Sequence, residues 1–168
     1  MRLICDSQPL ALFYSWLCGI FQMDFCQNKK LPVKIKTATV LACCKTMFND
    51  EYGNKVSTRS AKAADFYIKG THQFLGAEPG VEDSFRSAID ADPEFALAQI
   101  GYAREMQLRG RSTDMKQALK RAIQYAGNLT EREQSHLNVS SLLLSGKSAE
   151  AKLAVYEHVR LWPRDVLI

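Results

Sequence analysis

Asp92-Pro93-Glu94-Phe95-Ala96-Leu97-Ala98 decides how this chain folds. Aspartate followed by proline is a sharp helix-start signal. The carboxylate can accept from the free amides of a first turn, and proline suits the first helical position, where its missing N–H costs nothing. Phe95, Leu97, Ala98, Ile100, Gly101 and Met106 or Leu108 then form one helical face, and Gly110 ends it. Upstream, Val81, Phe85, Ala88 and Ile89 mark a second helix, opened by Pro79-Gly80 and ending near Ala91. With so little chain between them, the two helices must be antiparallel neighbours.

The same logic extends in both directions. Ser57 or Thr58 can cap a first helix carrying Ala61, Ala64, Tyr67, Ile68, Thr71 and Leu75, stopped by Gly76. Ser112 or Thr113 can cap a fourth, with Met115, Ala118, Leu119, Ala122, Ile123 and Ala126 before Gly127. Thr130-Glu131-Arg132-Glu133 has the form of a capping box, opening a fifth helix with Leu137, Ser140, Ser141 and Leu144 before Gly146. Ser148 can cap a sixth, with Ala151, Val155, Tyr156 and Val159, ending at Trp162. The expected fold is all-α: about six helices in three antiparallel hairpins over residues 50–168, preceded by a poorly defined extension over residues 1–48. Pro93 and Pro163 each close a helix pair and stand two periods of about 35 residues apart. Helix–turn–helix units at a period near 34 residues are the mark of tetratricopeptide repeats, which stack as an α-α superhelix. Gly101 and Ala118 suit close-contact positions within the middle pair, although the signature tryptophan is absent from the helix starts.

Composition narrows the function. The chain has 168 residues and a net charge of +4. Seven Lys/Arg and four Asp/Glu fall in residues 1–56, against fifteen and fourteen in residues 57–168. The near-neutral second part argues against a nucleic-acid face. Cys5, Cys18, Cys26, Cys43 and Cys44 all precede the helical region and show no zinc-type spacing, so reduced thiols are expected. Residues 9–25 are apolar but interrupted by Gln22 and Asp24, too short for an ordinary spanning helix. With Lys29, Lys30, Lys34 and Lys36 beyond them, they nonetheless leave a membrane-tethered module as the alternative to a cytoplasmic protein.

Asp50-Glu51-Tyr52-Gly53-Asn54, Asp92-Pro93-Glu94-Phe95-Ala96-Leu97-Ala98, Thr130-Glu131-Arg132-Glu133 with His136, and Trp162-Pro163-Arg164-Asp165 occur in that order. As an ordered set they resemble the tetratricopeptide repeat protein 38 family, near the start of its repeat array. The resemblance covers residues 50–168, leaves residues 1–48 unmatched, and implies a repeat scaffold with no catalytic motif. It also implies a longer array, so that Pro163–Ile168 would open a further helix, the chain would be a fragment, and its exposed end would self-associate.

Catalytic chemistry finds no foothold in the pattern. His72, His136 and His158 fall in different helices without metal-ligand spacing, and the carboxylates cluster at helix ends, where they suit the macrodipole. No nucleophile elbow or phosphate loop is present, so neither metal nor cofactor is expected. The expected function is a protein-interaction scaffold for a protein or peptide partner. Its concave groove would be lined by Tyr67, Gln73, Gln99, Tyr102, Arg104 and His136.

Overall fold

Six helices follow one another in the computed structural model, which describes residues 48–168, all within one unit spanning Ala42–Ile168. They are α1 (Ala61–Leu75), α2 (Val81–Ala91), α3 (Ala96–Leu108), α4 (Ser112–Gln124), α5 (Glu131–Leu144) and α6 (Ser148–Leu161). Two short antiparallel strands precede them, β1 (Phe48–Asn49) and β2 (Lys55–Val56), with Phe48 opposite Val56. The arrangement is all-α in character. The pairs α1/α2, α3/α4 and α5/α6 form antiparallel hairpins, and α3 touches α1, α2 and α5.

The apolar stretch 9–25, Lys29, Lys30, Lys34 and Lys36, and all five cysteines lie outside the described residues. Among the described residues, no helix is long and apolar enough to cross a membrane.

Local signals succeed unevenly. The capping box forms as expected: Glu133 N donates to Thr130 Oγ1 at 3.3 Å, and Thr130 N donates to Glu133 Oε2 at 2.9 Å. Gly110 and Gly146 end α3 and α5 in the left-handed region, with φ of 70° and 77°. Four expected helix starts need correction. Ser60, rather than Ser57 or Thr58, caps α1 by accepting from Ala63 N at 3.2 Å. Neither Ser112 nor Ser148 caps its helix; each is the first helical residue. Asp92-Pro93-Glu94 forms a turn, closed by Phe95 N donating to Asp92 O at 3.1 Å, and α3 begins only at Ala96. Asp92 Oδ2 is instead engaged by Thr58 and Arg59, across 34 and 33 residues.

Phe85 of α2 explains why the first two hairpins stack so closely. It is fully buried, between Gly70 of α1 and Gly101 of α3. A Cβ at Gly101 would come within 2.5 Å of the ring, and one at Gly70 within 2.9 Å. Gly101 therefore serves the contact between hairpins, not the one inside its own. Tyr67 and Phe95 extend this cluster, with ring centroids 5.1 Å apart. A second cluster joins Ala103, Met106, Met115, Ala118 and Leu144. The third hairpin has little apolar filling: α6 buries only Ala151 and His158.

Gly101→Ala should destabilise the protein. Gly70 on the other side leaves Phe85 no room to retreat, and overpacking costs about 1–3 kcal/mol. The helix-propensity gain of ~1 kcal/mol would offset only part of this. Urea unfolding measures the net loss, and adding Phe85→Leu should recover part of it. Additive losses in the double variant would refute the steric account.

Candidate functional site: a buried polar seam

The segment from Asp50 to Ser60 is fastened at almost every residue. Asp50 Oδ1 accepts from Tyr52 N at 3.0 Å and Asn54 N at 2.7 Å, closing a tight loop. Asn54 Nδ2 donates to Asp50 Oδ2 at 3.0 Å and to the Arg164 carbonyl at 2.8 Å. Lys55 O accepts from Arg132 Nη2 at 2.7 Å. Ser57 donates twice to Glu133, from N to Oε1 and from Oγ to Oε2, both at 2.7 Å. Arg59 N donates to Asp92 Oδ2 at 2.9 Å. The segment is a strap joining α1, the α2–α3 turn, the start of α5 and the chain after α6.

Beneath the strap lies a cluster of charged and imidazole groups. α5 places Arg132 and His136 one turn apart, α6 supplies His158, and the turn after α6 supplies Asp165. All four are buried. Arg132 Nη1 donates to Asp165 Oδ2, and His136 Nδ1 lies 3.1 Å from both carboxylate oxygens. His158 Nε2 lies 3.3 Å from Asp165 Oδ2, outside hydrogen-bonding geometry, and has no other partner. His158 Nδ1 lies 2.9 Å from Ser135 Oγ. The His158 ring packs edge-on to His136, with centroids 6.1 Å apart, and against Trp162 at 5.1 Å.

The electrostatics follow from burial and pairing. Burial alone would raise the Asp165 carboxyl, but His136 and Arg132 outweigh it and hold the group well below the usual carboxylate range. Burial lowers His158 below the ordinary histidine value, against the opposing pull of Asp165. Burial also pushes the Tyr67 phenol far above its normal range, with Asp165 adding to the shift.

The expected groove residues require correction. Tyr67, Gln99 and His136 do not line an open surface; all three are buried. Tyr67 packs on Phe85 and Phe95, the Gln99 side-chain oxygen has no hydrogen-bond partner, and His136 binds Asp165. Gln73 secures the α1–α2 hairpin through Ser84 Oγ at 2.6 Å and Pro79 O at 3.0 Å. Arg86 donates to the Tyr102 hydroxyl at 3.1 Å. Arg104 pairs with Gln107 and borders a small cleft with Phe74, Ile100, His136 and Leu167. Only Gln73, Tyr102 and Arg104 of the six retain partial exposure.

Sequence reasoning missed Arg132, Glu133, His158 and Asp165 as a linked set. One signal was present. Asp165 N donates to Trp162 O at 3.1 Å, repeating the turn that Phe95 N makes to Asp92 O. Asp165 thus occupies the structural place of a fully buried phenylalanine, and a carboxylate there requires partners. Comparison with protein-family models, curated proteins and solved structures gives no match.

Glu133→Ala should release the strap. It removes two charge-assisted bonds to Ser57, each bond to a charged group being worth about 1.5–3 kcal/mol. Tryptic cleavage after Lys55 and Arg59 should then accelerate well before global unfolding. Unchanged cleavage kinetics at these two sites would contradict the strap assignment.

Proposed function

We propose that residues 57–162 act as a tetratricopeptide-type protein-interaction scaffold, not an enzyme, and that the docking face is on α6. One observation carries this reading. Leu153, Tyr156 and Val159 are 68%, 64% and 43% exposed on the same helix. Their spacing of three residues gathers them on one broad face. In the first hairpin the counterpart of Val159, one double period earlier, is Ile89, which packs into the core. Among the described residues no element gives Val159 equivalent cover.

The occupant is a second copy of this chain. Lys152, Glu157 and Arg160 border the apolar row with both signs of charge, which suits a self-complementary contact. The cytoplasm is the compartment consistent with this role. The ordered phrases that resemble the tetratricopeptide repeat protein 38 family contain Asp50, Asn54, Asp92, Glu133, His136 and Asp165 of the seam.

Sedimentation equilibrium tests the proposal. The wild-type chain should dimerise with rising concentration, and Leu153→Glu combined with Tyr156→Glu should give a monomer with unchanged helicity. A wild-type chain that stays monomeric throughout, or a double variant that dimerises equally well, would overturn it.

A further inference from the structure

We propose that His136, His158 and Asp165 form a binding site for a divalent transition-metal ion of the zinc class. Two imidazoles and one carboxylate are a donor set that suits zinc, cobalt and ferrous iron. Their ligand atoms all lie within 4.8 Å of one another in a buried place. Metal–ligand bonds of about 2.0 Å in a tetrahedral site require ligand atoms roughly 3.3 Å apart. His136 Nδ1 and His158 Nε2 lie 3.1 and 3.3 Å from Asp165 Oδ2.

The strongest pointer is the orphaned nitrogen. His158 Nε2 is buried without a hydrogen-bond partner, although it faces a carboxylate. A buried polar group in that condition costs free energy, and a cation between nitrogen and oxygen would relieve it. The surrounding groups suit ligation. Ser135 Oγ can accept a hydrogen bond from His158 Nδ1–H, which fixes the tautomer that leaves Nε2 free to bind. Trp162 and His136 hold the His158 ring from two sides. Arg132 orients Asp165 and is itself anchored on the Lys55 carbonyl. Its positive charge repels a dication, so binding is weaker than at a site lacking an arginine.

The ligands come from α5, α6 and the turn beyond, so the ion would fasten the hairpin with the least apolar core. Three protein ligands leave one position of a tetrahedron for water.

The test uses the full chain, with its five cysteines alkylated under native conditions so that thiolates do not compete. Equilibrium dialysis against zinc as the sole metal should show one ion bound per chain. His158→Gln and Asp165→Asn should each weaken binding at least tenfold, while His72→Gln on the exposed side of α1 should not. X-ray absorption of the cobalt-loaded wild-type chain should show nitrogen and oxygen neighbours only, with the scattering signature of two imidazoles. This arm does not depend on any variant folding. No ion bound by the wild-type chain, a shell lacking imidazole, or binding unchanged in both site variants would overturn the proposal.

Discussion

The Glu133 carboxylate is the constraint around which the fold closes. It completes the cap of α5 and holds the Ser57 amide and hydroxyl, 76 residues earlier in the chain. Because it is fully buried, those bonds form where water cannot substitute for them. With Ser57 fixed, Lys55 O comes within reach of Arg132, and Thr58 and Arg59 meet Asp92. Stacked helical hairpins could in principle vary their separation. Here a strap spans the first and third hairpins and sets their separation.

Helix number, order and pairing were legible in the sequence because they depend on local chemistry. Apolar residues three and four apart, single glycines at stops, and Thr130 followed by Glu133 each act within a turn or two. Asp92-Pro93 misled for an instructive reason. It has the composition of a helix start, but Asp92 Oδ2 is engaged by Thr58 and Arg59 from a distant segment, so the helix begins later. Residue type alone does not show whether a side-chain oxygen acts locally or across the fold.

Three of the six expected groove residues are buried for a related reason. Tyr67, Gln99 and His136 sit on the first helices of their hairpins, as expected. What the pattern does not disclose is that Phe95 packs on Tyr67, Asp165 binds His136, and Gln99 is buried with its side-chain oxygen unpaired. The histidine cluster was equally hidden. His136, His158 and Asp165 are separated by 22 and 7 residues and converge only when α6 folds back on α5. The matching turns at Asp92–Phe95 and Trp162–Asp165 offered the one hint, by aligning Asp165 with Phe95.

The uneven distribution of apolar burial gives the molecule a gradient of local stability. Phe85 couples α1, α2 and α3 through close contact, so these helices should open together in a single cooperative event. α6 buries one alanine and one histidine, so it can detach while the rest remains native. In hydrogen-exchange terms, its amides should form the least protected foldon and those around Phe85 the most protected. Losing α6 would also take His158 and the Trp162–Asp165 turn out of the seam. The imidazole cluster therefore exists only while the weakest part of the fold stays closed.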